Sequence, residues 1–205
     1  VTNSDQLARA MSLIEREQAG SIRATLMATL YQRLDPEQRR TVLTQERHLA
    51  RSLADPQERS ASLLALAAVA ADTEQEELLD EALAAADGIE GAFQRVLSLL
   101  RIAAVHGHQR PNPAAEHALI IAQSMLSGRE RVHALVNLSP YFSNLIELRD
   151  LLSDLAQLAD ARTQADYLVQ LARHYPEQSL PALYQVARAV PIAADRGRAL
   201  VELLP

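Results

Sequence analysis

"RVHALVNLSP", residues 131–140, returns as "RGRALVELLP", residues 196–205, with Arg, Ala, Leu, Val, Leu and Pro at the same offsets. A phrase that recurs at a fixed interval marks a repeat architecture, and this one occurs six times. Arg23 opens "RATLMATLY", Arg59 "RSASLLALA", Arg95 "RVLSLLRIA", Arg131 "RVHALVNLS", Gln164 "QADYLVQLA" and Arg196 "RGRALVELL", at spacings of 36, 36, 36, 33 and 32 residues. Chance likeness between Leu- and Ala-rich helices would not keep step in this way.

Four and seven residues after each opening position stand Met27 and Leu30, Leu63 and Leu66, Leu99 and Ile102, Leu135 and Leu138, Leu168 and Leu171, Leu200 and Leu203. That spacing puts each pair on one face of an α-helix. A second apolar helix precedes each phrase, with large residues six back at Leu53, Ile89, Met125, Leu158 and Val190, and small ones nine back at Ala50, Ala86, Ala122 and Ala187. Between them lie breakers and caps such as "LADPQER", where Asp55 reads as an N-cap followed by a first-turn proline. Asp35-Pro36, residues 107–113, Ser139-Pro140 and Pro176 read as turns between successive pairs. The pattern predicts an all-α chain of twelve helices, each roughly 10 to 14 residues long, with no segment alternating like a strand. It is read as a single domain over 1–205, an α-α superhelix of about six helix-turn-helix units at 4–38, 39–74, 75–110, 111–146, 147–178 and 179–205.

A small residue on the first helix and another twelve positions on, as in Ala50 with Ser62, Ala86 with Ser98, Ala122 with Ala134 and Ala187 with Ala199, resembles the close-packing pair of tetratricopeptide-type repeats. The aliphatic residue one before the first small position, at Leu49, Ile121 and Val186, fits the same pattern. The chain departs from it in lacking Trp and a regular terminal proline, and its period exceeds 34 in the early units, so it is described as TPR-like, with HEAT-like repeats as the alternative. More distantly, the array is similar to helical sensor and scaffold portions of bacterial multidomain regulators such as signalling ATPases, although no ATPase motif is present. The resemblance implies a concave groove lined by first helices, which family-type spacing would place at Arg47, Arg51, Asp87, Gln123, Tyr184 and Arg188, holding a protein or peptide.

Composition removes whole classes of chemistry. The net charge is −6, and all twenty basic residues are Arg. Acids outnumber bases, which argues against a nucleic-acid surface. The absence of Lys removes Schiff-base enzymes, the P-loop and Ser-Lys dyads, and the absence of Cys removes thiol catalysis and thiolate metal sites. No run approaches eighteen apolar residues and the N-terminus has no signal-peptide pattern, so the expectation is cytoplasmic and without membrane association.

The recurrent arginines Arg23, Arg59, Arg95, Arg131 and Arg196 are read as structural, each bonding carbonyls at a neighbouring helix end through its planar five-donor head. The other reading is a guanidinium ladder for an acidic partner. His106, His108 and His117 beside Glu116 form the densest imidazole cluster, but flank Gly and Pro in a connection where polar residues are expected anyway. Glu77 and Glu81 share a face in an acidic run that reads as a solvated helix start. The sequence thus predicts no catalytic residue, metal or cofactor.

Tyr31, Tyr141, Phe142, Tyr167, Tyr175 and Tyr184 are nearly all the aromatic residues and fall mostly in the later units, where any contact anchor is expected. Ser4 or Asp5 is expected to cap the first helix. Leu203, Leu204 and Pro205 continue the apolar phrase with no polar helix after them, which predicts cover by further chain, a second copy or a partner. The function expected is a noncatalytic protein-binding scaffold or sensor module. The alternatives are a structural or oligomerisation segment of a larger regulator and, third, a metal-dependent enzyme.

Overall fold

The structure, a computed structural model, describes residues 3–14, 16–17, 20–107, 112–126, 128–142 and 146–203, without the side chains of 3–8 and 72. Among these residues there is no strand, and the chain is all-helical. The twelve α-helices described are α1 (Asn3–Ile14), α2 (Gly20–Tyr31), α3 (Pro36–Ser52), α4 (Pro56–Ala67), α5 (Asp72–Asp87), α6 (Ala92–His106), α7 (Pro113–Ser124), α8 (Arg129–Phe142), α9 (Leu148–Ala156), α10 (Ala161–Ala172), α11 (Leu180–Ala189) and α12 (Ala193–Glu202). Each copy of the repeated phrase lies on an even-numbered helix. The chain divides into two compact units, Val1–Ala114 and Ala115–Pro205.

In the first unit the principal contacts join helices one or two places apart: α1 with α2, α2 with α3 and α4, α4 with α3, α5 and α6, and α5 with α6. Short polar side chains set the helix starts. The Asp35 side chain accepts from the Gln38 backbone N–H at 2.9 Å while Gln38 Oε1 accepts from the Asp35 backbone N–H, and the Asp55 side chain accepts from the Gln57 backbone N–H. Asp35 and Pro36 are therefore the cap and first residue of α3, which begins three residues before the boundary drawn at 39. Ser4 and Asp5 lie inside the first turn of α1 rather than before it.

Within this unit, side-chain donors from the next helix pair close the helix ends. Arg39 Nε donates to the Tyr31 carbonyl at 3.1 Å, Gln75 Nε2 to Ala67 at 2.9 Å, and Asn112 Nδ2 to Ala103 at 3.2 Å and Gly107 at 2.8 Å. The acceptors Tyr31, Ala67 and Ala103 stand 36 residues apart, so the period is written in hydrogen bonds as well as in leucines. Gly107 turns the chain off α6 with φ +81°, a region that favours glycine. Because Asn112 is buried, Asn112→Ala is expected to lower stability by about 1 kcal/mol, the loss of its hydrogen bonds to Ala103 O, which keeps the Gly107 N–H, and to the part-buried Gly107 O. A thermal melt unchanged within error would contradict that role.

The phrase positions form the core. Leu63, Leu66, Leu99 and Ile102 in the first unit, and Leu135, Leu138, Leu168, Leu171 and Leu203 in the second, are buried, as is Met27, while Leu30 and Leu200 are half-buried. All eight small positions, Ala50, Ser62, Ala86, Ser98, Ala122, Ala134, Ala187 and Ala199, are buried. A Cβ or hydroxymethyl there lets two helices approach closely.

In the second unit α8 packs on α9 and α10, α9 on α11, α10 on α11 and α12, and α11 on α12. Pro140, expected in a turn, lies inside α8. Proline has no N–H for the carbonyl four residues back, and the Ser139 hydroxyl donates to that carbonyl, Val136 O, at 2.7 Å. The turn signal is overridden because the orphaned acceptor is satisfied locally. No described helix is long and apolar enough to cross a membrane.

Candidate docking surface

The recurrent opening residue is used in two ways. Arg95, Gln164 and Arg196 reach the carbonyl six residues back, at Ile89 (2.8 Å), Leu158 (2.8 Å) and Val190 (2.9 Å), and so close the turn between the two helices of a unit. Arg23 and Arg131 instead pair with an acid 23 residues ahead, Glu46 on α3 and Asp154 on α9. Arg59 sits half-buried in the first turn of α4.

Arg47 and Arg51 lie one turn apart on α3 and both hold Glu81 of α5. Arg47 Nη2 is 2.5 Å from Glu81 and 2.8 Å from Glu77, and Arg51 Nε is 2.7 Å from Glu81. The face expected to meet a partner is thus bridged by the chain's own carboxylates, and the acidic run read as solvated supplies them. Asp87 ends α5, exposed. Gln123 is exposed on α7, and on α11 Tyr184 is half-buried and Arg188 exposed.

The hydrogen bond from Arg51, with Arg47 adding to it against the opposing effect of burial, lowers the Glu81 carboxyl from 4.5 to about 2. A depressed folded-state value stabilises the fold fully above about 4.5 and loses that contribution as pH falls through about 2. Between those limits wild-type stability is expected to fall about 1 kcal/mol further than that of Glu81→Gln, less at high salt, as for other partly exposed ion pairs. Equal slopes in urea titrations across that range would contradict it.

The even-numbered helices of the first unit carry a different surface. A depression of about 470 Å³ runs across α2, α4 and α6, with Thr25, Ala28 and Thr29 on one wall, Ala61, Leu64, Ala65, Ala68 and Val69 on the floor, and Ser98, Arg101 and Val105 on the other wall. Three of its hydroxyls are bonded to backbone carbonyls: Thr25 Oγ1 donates to Ser21 O at 2.8 Å, Thr29 Oγ1 to Thr25 O at 2.9 Å, and Ser60 Oγ to Ala82 O at 3.0 Å. Arg101 is the only charged lining residue, is exposed, and has no ion-pair or hydrogen-bond partner among the described residues. The sequence held one signal for this surface. Ser60 to Ala71 carries no charge, and α2 carries none but Arg23, already paired.

Two aromatic residues of the later unit, Phe142 and Tyr175, are buried, and Tyr141, Tyr167 and Tyr184 are half-buried. The Tyr175 hydroxyl donates to Ile146 O at 3.2 Å, and burial pushes it up to about 12. Burial, then the charge of Arg129, lowers the His133 imidazole, whose Nδ1 lies 2.6 Å from the Tyr167 hydroxyl. Of the imidazole cluster, His106 and His117 are half-buried and His108 lies outside the described residues, among which no group of three or more metal-binding side chains assembles. Leu203 is buried, and Leu204 and Pro205 also lie outside the description.

No family model and no curated protein matches the chain. Among solved structures, the crystal structure of Ton1535 from Thermococcus onnurineus NA1 is similar over 96% of this chain and 83% of that one, at 14% identity and a TM-score of 0.42, a likeness too distant to carry an argument about fold or function.

Proposed function

We propose that the chain is a noncatalytic, cytoplasmic protein-binding module, an α-α superhelix of helix pairs that receives its partner on the even-numbered helices. Packing between near neighbours in each unit supports the superhelical reading. The observation that carries the function is the uncharged depression across α2, α4 and α6, since apolar concavities with few polar groups are where partners bind. The first-helix arginines are engaged with Glu77 and Glu81 and would have to leave them to meet an acidic partner. This moves the groove from the odd-numbered helices, as in TPR-type binding, to the even-numbered ones.

The test uses the full chain to capture a partner, which is then purified and titrated back. Wild type is expected to form a 1:1 complex that Ala65→Arg, with unchanged helicity, weakens at least tenfold. A complex indifferent to Ala65→Arg would move the function off this surface.

A further inference from the structure

The depression on α2, α4 and α6 has a chemistry that specifies its occupant. Resting on its reading as a docking surface, we infer that it receives an amphipathic helix of a partner protein, which lays aliphatic side chains on Ala61, Ala65 and Ala68 and sets a carboxylate on Arg101.

Three observations select that partner. First, every wall is helical, so no open strand edge offers backbone hydrogen bonds. An extended peptide would bury unpaired N–H and C=O groups, whereas a helix has satisfied its own. The Thr25, Thr29 and Ser60 hydroxyl protons already bond carbonyls of the chain itself.

Second, the surface has the length and relief of a helix seat. Three neighbouring helices at about 8–10 Å spacing make a trough on the order of 16–20 Å across, which is about 11–13 residues of helix. Ala61, Ala65 and Ala68 follow helical spacing along its floor, and such small residues permit close approach. On α2, Ile22 and Leu26 share the exposed face of Thr25 and Thr29 and are 53% and 41% exposed, extending the apolar margin.

Third, the charge is asymmetric. Arg101 on α6 is the only charged group of the lining, unpaired among the described residues, while the α2 side has none available, because Arg23 holds Glu46. A guanidinium presents a fork that fits a carboxylate bidentately, so the complementary helix is acidic at the end over α6 and aliphatic toward α2.

The experiment pans a displayed library of helical fourteen-residue peptides against the full chain and titrates the recovered peptide, fluorescein-labelled, by anisotropy. The expected peptide has aliphatic residues at helical spacing and Asp or Glu at one end. Ala65→Arg and the exposed-site variant Ala68→Arg should each weaken it at least tenfold. Arg101→Glu should weaken it about tenfold, the low end of a charge-assisted hydrogen bond, and a Lys-for-Glu peptide should regain binding to that variant. Peptides lost on Ala65→Arg and Ala68→Arg but indifferent to Arg101→Glu would overturn the inference and leave the docking surface standing. No peptide sensitive to either alanine variant would remove both. Displacement of the peptide by stoichiometric oleate, or a concentration-dependent dimer abolished by Ala68→Arg, would replace the partner helix with a fatty acid or a second copy.

Discussion

Replacing Leu99 by alanine is expected to lower the unfolding free energy by about 3 kcal/mol, the middle of the range for deleting a buried leucine side chain. Leu99 stands four residues into its phrase on α6, is 0% exposed, and lies in the layer where α6 meets α4 and α5. Neighbouring helices cannot close the space without moving against their own leucines, so lost transfer energy and the cavity both count. The same position three copies of the phrase later behaves differently: Leu200 on α12 is only half-buried, and Leu200→Ala is expected to cost about 1 kcal/mol. Urea denaturation followed by far-UV circular dichroism, needed because the chain has no Trp, measures both. Equal losses for the two variants would mean that core position within the repeat, and not burial, sets the cost.

Removing the carboxylate of Glu46 is the second large effect. Glu46 is 4% exposed on α3 and takes Nε and Nη2 of Arg23 from α2, at 3.0 and 2.8 Å. A buried pair is poor evidence of net stability, yet breaking it strands the remaining charge. Arg23 keeps some exposure and can recover part of its hydration, so Glu46→Ala is expected to cost about 2 kcal/mol, below the usual range for a fully buried pair. The double variant Arg23→Met/Glu46→Leu is expected to regain most of that, because apolar replacements of similar size leave no unpaired charge. A Glu46→Ala variant as stable as wild type, or a double variant no better than the single, would show that the pair does not join α2 to α3.

The helices were legible in the chain because their cause is local. Apolar residues four and seven beyond each opening position make a face, Asp55 and Pro56 start a helix, and small residues twelve apart need close neighbours; each rule reaches a few residues along the chain, and all eight small positions proved buried. Pro140 shows where a local rule ends, since the expected turn was cancelled by one hydroxyl, that of Ser139. The candidate docking surface was harder to read because absence of charge along α2 and α4 has meaning only when those helices are known to be adjacent and outward-facing.

The repeated phrase by itself therefore determined that the chain is all-helical, which faces of its helices are apolar, and where the close-packing residues stand, because these follow from side-chain chemistry at helical spacing. Tertiary structure alone decided whether a recurrent arginine closes its own turn, as Arg95 does, or crosses to the next helix pair, as Arg23 does. It also decided that Arg47 and Arg51 meet Glu81 while Arg101 has no ion-pair or hydrogen-bond partner among the described residues. Those outcomes depend on the rotation and spacing of helices some thirty residues apart, where a shift of a few ångströms exchanges one partner for another and no pattern within a single helix records the choice.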